Sequence, residues 1–142
     1  MELTKKDKAY FNIAKEVSKL SDFPRVQIGA CAVYKHKVIS TGYNSQRTSP
    51  LQKKYNQYRF TAETSHSCHA EISCLKPLID RKDIDFKNVK LYIYREDKNG
   101  TPLLARPCHS CEKLIRDLKI KKVFFSTYGG YASEEFYNMG GE

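Results

Sequence analysis

Two short motifs carry residue types that bind a metal ion and move protons. One reads His-Ala-Glu from His69 to Glu71, and the other reads Pro-Cys-His-Ser-Cys and ends at Cys111. A catalytic zinc normally takes three protein ligands and leaves its fourth position to water. His69, Cys108 and Cys111 would supply those three donors. Glu71, the acidic residue of the first motif, is not needed as a ligand and is suited to accept and return protons as a general acid and base.

Each motif is weak alone, because a C-x-x-C pair is also typical of redox centres and of structural zinc sites. A redox pair would leave His69 and Glu71 without a role. A closed structural zinc site would need a fourth ligand. Its nominal candidates are Cys68, His66, Cys74 and His109. The combined order, H-x-E followed by P-C-x-x-C, matches the signature of zinc enzymes that deaminate nucleobases, and it therefore favours an open catalytic site.

Composition predicts one soluble domain spanning residues 1–142. The hydrophobic fraction of 40%, with 10 tyrosines and 7 phenylalanines, is enough to build a core. No segment approaches the roughly 18 apolar residues of a membrane span, and the charged N-terminus lacks the apolar stretch of a signal peptide. Five cysteines without dense spacing argue against a secreted disulfide framework. We therefore expect a cytoplasmic protein with no membrane partner.

The net charge of +9 favours an anionic partner, which would be a nucleotide phosphate or a nucleic acid. A solvated basic surface is the alternative. The charge does not choose between a nucleotide and a nucleic acid as the partner.

Periodicity predicts the elements that position the two motifs. Helices are expected over residues 4–20, 69–79 and 108–118, and strands over residues 28–34, 38–43, 89–95, 101–105 and 121–126. Thr4 and Asp7 resemble a capping box. An Asn-Gly turn is expected at residues 97–100, and a helical turn near residues 134–137. This order predicts an α/β fold, a three-layer α/β/α sandwich with a central mixed sheet.

The predicted arrangement places both ligand motifs at helix starts, where the helix dipole stabilises a cysteine thiolate. Gly29 and Ala30 keep the start of the first strand slim, which would allow a ligand close to the backbone. Residues 44–67 form a long polar, basic and aromatic segment, and long loops of this kind are often functional. A short helix over residues 51–58 is compatible with it.

The chain resembles the cytidine and deoxycytidylate deaminase superfamily, and most closely the dCMP deaminases and related phage-type proteins. The resemblance covers residues 27–127: the first core strand at 27–33, the second strand and its terminal Asn44, and the two zinc motifs. It implies that Asn44 bonds the sugar or base, that the Ala70 backbone contacts the pyrimidine edge, and that the Pro107 carbonyl lies near the leaving amine. It also implies Zn²⁺ as cofactor and a homo-oligomer. Residues 72–75 and the longer stretch 95–106 depart from the dCMP deaminase pattern.

Three functions follow as hypotheses. The first is hydrolytic deamination of a small-molecule nucleotide, dCMP to dUMP, with Arg25, Arg47 or Lys54 on the phosphate and Tyr128 stacked at the pocket mouth. The second is deamination of single-stranded DNA, RNA or a tRNA loop, because basic and aromatic residues alternate over 53–60. The third is a non-catalytic zinc-stabilised module that binds nucleic acid. We favour the mononucleotide, because the segment is short for a groove that holds several nucleotides.

Overall fold

A six-stranded mixed sheet forms the middle layer of the fold. The computed structural model describes residues 2–23, 26–47, 49–58 and 68–136. In chain order the elements are α1 (Lys5–Ser18), β1 (Gln27–Tyr34), β2 (Lys37–Tyr43), α2 (Pro50–Tyr55), α3 (Ala70–Leu75), β3 (Val89–Glu96), β4 (Pro102–Leu103), α4 (His109–Asp117), β5 (Lys122–Thr127) and β6 (Gly130–Glu135). Short 3₁₀ turns lie at Asn56–Tyr58, Lys76–Leu78 and Phe86–Asn88.

The strand order is β2-β1-β3-β5-β6, and β4 pairs with the end of β3. β3 and β5 are parallel, whereas the other pairs are antiparallel. Helices cover both faces of this sheet, and the predicted three-layer α/β/α sandwich is therefore confirmed. No helix in the described ranges is long and apolar enough to cross a membrane.

The two faces of the sheet use alternate residues of the same strands, as the two-residue period of a strand requires. α1 covers the face formed by Cys31, Val33, Tyr92 and Phe124. On that face the Tyr92 and Phe124 rings stack with centroids 4.4 Å apart. α3 and α4 pack on the other face, which is lined by Ala30, Ala32, Leu91, Ile93, Val123 and Phe125. The candidate ligands belong to this second face.

Helix α1 begins as predicted. The Thr4 hydroxyl accepts from the Asp7 N–H, and the Asp7 carboxylate accepts from the Thr4 N–H, which completes the capping box. The space beside Gly29 is filled by α1, because a β-carbon there would overlap the Ala14 carbonyl oxygen and the Ser18 backbone. The slim strand start thus serves close helix packing, and the expected approach of a ligand at this point is wrong.

A second glycine seats the helix that follows the histidine motif. A β-carbon on Gly42 would overlap the backbone N of Cys74 and lie 2.7 Å from the Ala70 carbonyl oxygen. The Ser40 hydroxyl also donates to the Cys74 carbonyl at 2.6 Å. β2 and α3 therefore lie in backbone contact, and this contact sets the height of α3 over the sheet.

Several predicted boundaries shift for local reasons. The helix after His69 changes to 3₁₀ geometry at Lys76–Leu78, because Pro77 has no N–H to continue the α-helical ladder. The expected helical turn at residues 134–137 is wrong over its described part. Gly129, with φ of +84°, lets the chain reverse after β5, so that β6 runs to Glu135 along β5. Residue 137 lies outside the described residues.

We expect Gly42→Ala to lower the free energy of unfolding by about 1–3 kcal/mol, the usual cost of overpacking. The added methyl group has no space against α3. Urea unfolding followed by circular dichroism measures this. Gly130→Ala is the matched control, because its β-carbon would meet only the Thr127 hydroxyl oxygen, at 3.5 Å. Equal losses in the two variants would contradict close β2–α3 packing as the cause.

Candidate metal centre and active site

The candidate site lies at the end of the sheet where β2, β3 and β5 finish. β2 and β3 are both antiparallel to β1, and β5 is parallel to β3, so the carboxyl ends of the three strands lie together. α4 connects β3 to β5 and must run back against them, so its first turn, at Cys108, is at this end. Asn44 follows β2 at the same end. Open α/β sheets commonly bind ligands beyond the carboxyl ends of their strands.

Three donor atoms from the two motifs meet here. His69 Nδ1 lies 3.3 Å from Cys111 Sγ and 3.5 Å from Cys108 Sγ. Nitrogen and both sulfurs lie within 4.8 Å of one another, and this is the one such group found among the described residues. An imidazole and two cysteine sulfurs form a donor set that suits zinc. The arrangement of the chain thus fits a three-ligand zinc site.

The other nominal ligands do not join this group within the described part of the chain. Cys68 Sγ points to the His69 carbonyl oxygen at 3.6 Å, and Cys74 Sγ points to the Ser40 carbonyl oxygen at 3.6 Å. His109 is exposed and is not a member of the cluster. His66 lies outside the described residues. Three donors leave a coordination position open, which is the pattern of a catalytic zinc.

The two sulfurs differ in their hold on a proton. The hydrogen bond from the Cys111 side chain lowers the pKa of Cys108 to about 2, and His69 and Ser110 add to this effect. The same bond to Cys108 raises the pKa of Cys111 well above its usual value, together with burial. Cys108 is also the N-cap residue of α4, where the helix dipole favours a thiolate. Both effects favour the thiolate form of Cys108, which is the form that binds a metal ion.

Glu71 lies in the first turn of α3 and is only 6% exposed. Burial raises the pKa of its carboxyl group to about 7, against the lowering effect of the charge on His69. A carboxyl group with a pKa near neutrality can both accept and donate a proton at the pH of a cell, which is the requirement for general acid–base catalysis.

The residues expected around a substrate occupy two kinds of environment. Ala70 and Pro107 are buried beside the metal donors. Asn44 is 7% exposed, and its Oδ1 accepts from the Ile28 N–H at 2.9 Å while its Nδ2 donates to the Val26 carbonyl at 3.1 Å. The Asn44 side chain thus ties the end of β2 to the start of β1.

The expected phosphate contacts are less well placed. Arg47 and Lys54 lie on the exposed surface, and Lys54 Nζ is 5.6 Å from the centroid of the Tyr55 ring. Arg25 lies outside the described residues. Tyr128 is 73% exposed in the turn between β5 and β6, at the end of the sheet that carries the site.

One polar residue at the site carried no sequence signal. Gln52 of α2 is 1% exposed, and its Oε1 accepts a hydrogen bond from the backbone N–H of His69 at 2.9 Å. In the sequence it follows Leu51 and precedes two lysines, and a basic stretch of this kind is typical of a solvated surface. Only the packing of α2 shows that it is internal.

Comparisons with known proteins agree with this geometry. A sequence model of the cytidine and deoxycytidylate deaminase zinc-binding region matches residues 4–127. Deoxycytidylate deaminase of Mycobacterium phage D29 is 28% identical over 133 residues, which is 84% of this chain and 92% of that protein. Cytidine deaminase from Burkholderia pseudomallei superposes with a TM-score of 0.64 at 16% identity, over 94% of each chain. Apo dCMP deaminase from cyanophage S-TIM5 gives 0.61 at 22% identity, over 88% of this chain and 84% of that one. Both of these solved structures share the fold of this chain.

Cysteine replacements test which sulfurs bind the metal. We expect Cys108→Ala and Cys111→Ala to weaken zinc binding on the order of a hundredfold or more. The free energy of zinc binding in structural sites with four donors averages roughly 3 kcal/mol per donor. Cys68→Ala and Cys74→Ala should keep wild-type affinity, since their sulfurs point to backbone carbonyls. Competition with a chromophoric chelator measures all four. Equal weakening by Cys68→Ala would indicate a closed four-ligand site instead.

Proposed function

This chain belongs to the cytidine and deoxycytidylate deaminase family, and we propose that it is a zinc-dependent hydrolase that converts dCMP to dUMP and releases ammonia. The observation that carries this proposal is the meeting of three donors, from His69, Cys108 and Cys111, within 4.8 Å of one another beside the buried carboxyl group of Glu71. Hydrolytic deamination needs both an activated water molecule and a group that moves protons.

His69, Cys108 and Cys111 would hold the Zn²⁺ ion. When bound, zinc supplies Lewis acidity, which lowers the pKa of water toward about 7 and so provides a nucleophile at neutral pH. Cys111 is buried and the other two donors are partly buried, so the site is partly shielded from solvent.

Glu71 would move the protons of the reaction. Its carboxylate accepts a proton from the attacking water and delivers it to the ring nitrogen next to the reacting carbon. A second proton passes through the same carboxyl group to the amino group, which leaves as ammonia while the carbon gains a carbonyl oxygen. The buried carboxyl group, whose pKa is about 7, suits transfer in both directions.

Two observations support a mononucleotide substrate. The phage D29 relative, named deoxycytidylate deaminase, aligns over 92% of its own length. In addition, the described part of the basic and aromatic segment is a packed helix: Tyr55 is buried and its hydroxyl donates to Asp117 Oδ2 at 2.7 Å. The Tyr55 ring is therefore not available to stack on the bases of a single strand. Phe60 lies outside the described residues. The net charge of +9 suits the phosphate of dCMP.

We also propose that the enzyme acts in the cytoplasm and forms a homo-oligomer. All five cysteines are free thiols, which suits a reducing compartment. The oligomer follows from the family resemblance alone, and sedimentation velocity measures it.

Glu71→Gln tests the proton transfer. The amide keeps the size of the side chain but accepts no proton, so we expect kcat to fall by about 10²–10⁴-fold while zinc content stays at the wild-type level. Ammonia release measures kcat, and elemental analysis measures zinc. A variant that kept both zinc and the wild-type rate would remove Glu71 from the mechanism.

A substrate panel tests the proposed reaction. We expect kcat/KM for dCMP to exceed that for deoxycytidine by at least about tenfold, because a charge-assisted phosphate contact contributes roughly 1.5–3 kcal/mol. A chelator should abolish turnover, and added zinc should restore it. Preference for a cytosine-containing oligonucleotide, with steep loss of activity as salt rises, would favour the nucleic-acid hypothesis.

A further inference from the structure

We propose that Gln52 is a positioning residue for the zinc ligand His69, and that α2 holds the two ligand-bearing segments in register. The inference rests on the proposed zinc site. Gln52 belongs to neither motif, and it acts through the backbone of His69 rather than on the metal or the substrate.

His69 is the N-cap residue of α3, with an extended backbone conformation at φ −77° and ψ 156°. Most N-cap side chains accept a hydrogen bond from the first turn of their helix, but the His69 side chain makes no such bond. Its imidazole points to the two cysteine sulfurs instead. The orientation of the residue must therefore be set by other contacts.

Gln52 supplies one of these contacts. Its Oε1 accepts the His69 N–H at 2.9 Å. The amide is fixed in this orientation, because its Nε2 donates to Asn56 Oδ1 at 2.8 Å. Only 1% of Gln52 is exposed, so water has little access from that side to replace the lost bond. An N–H left unsatisfied away from water costs about 1–3 kcal/mol.

The neighbouring residue is held as well. Cys68 N–H donates to the Ser45 carbonyl, and Ser45 N–H donates to the Cys68 carbonyl, both at 2.9 Å. This two-bond bridge fixes the chain immediately before His69. The bond from Gln52 then fixes His69 itself.

The same helix contacts α4, which carries the two sulfurs. The buried Tyr55 hydroxyl donates to Asp117 Oδ2 at 2.7 Å, near the end of α4. α2 is thus bonded to His69 at one point and to the cysteine-bearing helix at another. Loss of the Gln52 contact would leave His69 free to shift relative to the sulfurs, whereas a well-formed metal site keeps its ligand distances within about 0.2 Å of the usual values.

Gln52→Met tests this role, because methionine keeps the length of the side chain but offers no strong acceptor. We expect the zinc dissociation constant, measured by competition with a chromophoric chelator, to rise about tenfold, the lower range for partners of metal ligands. The absorption spectrum of the Co²⁺-loaded protein should change, because it reports the geometry of the ligands. At saturating zinc, kcat should fall more than KM changes.

Two control variants separate positioning from stability. Gln52→Glu keeps an oxygen at the His69 N–H, and Asn56 can turn its amide to donate to the second oxygen, so zinc affinity should return to within about threefold of wild type. Tyr92→Phe removes a buried bond of 2.6 Å to Asp7 on the opposite face of the sheet. It should lower the melting temperature and leave zinc affinity unchanged.

If Gln52→Met kept the wild-type zinc affinity and Co²⁺ spectrum, the role of Gln52 would be overturned. Equal weakening of zinc affinity in Gln52→Met and Gln52→Glu would overturn it as well. If Gln52→Met does not fold, Asn56→Ala is the substitute test, because it frees the Gln52 amide to rotate. We expect this variant to bind zinc about threefold more weakly, and unchanged affinity would overturn the proposal. A wild-type protein that bound no zinc would defeat the proposed function as well, whereas the other outcomes bear on Gln52 alone.

Discussion

The close approach of four ionisable groups in a partly buried place is the constraint on which the rest of the structure depends. An imidazole, two sulfurs and the Glu71 carboxyl group share one small volume between α3 and α4. Charge is costly on the Glu71 carboxyl group because of burial, and on Cys111 because of its hydrogen bond with Cys108 together with burial. This cost appears as raised pKa values. A divalent cation would offset it, because it favours the ionised sulfurs.

Such an arrangement is stable only if both helices are held firmly against the sheet. On the β2 side, the contact at Gly42 brings α3 down to backbone distance. On the other side, the crossover between β3 and β5 directs the start of α4 to the same sheet end. α2 then joins the two segments through Gln52 and Tyr55. The segment whose composition resembled a nucleic-acid contact thus takes part in building the site.

Sequence periodicity predicted most of the elements because each depends on near neighbours. The capping box at Thr4 and the buried strands follow from patterns that span a few residues. The errors arose where contact with another element decided the outcome. β6 forms because β5 offers an edge to pair with, and Gly29 is small because α1 packs on it. β5 and β6 are joined by a tight turn at Gly129, so a local hairpin signal was present there. The packing of α1 on Gly29, in contrast, is a tertiary contact that no local pattern reports.

The sequence by itself determined the chemistry that is available, because the donor types and the carboxyl group are properties of residue identity. Tertiary structure decided which of these groups meet. Cys68 adjoins His69 in the chain, yet its sulfur turns to a carbonyl oxygen, whereas Cys108 and Cys111 reach the imidazole from far along the chain. Tertiary structure also buried Gln52 and raised the pKa of Glu71. Distances between remote residues and the exclusion of water depend on sheet register and helix packing, which exist only once the chain is folded.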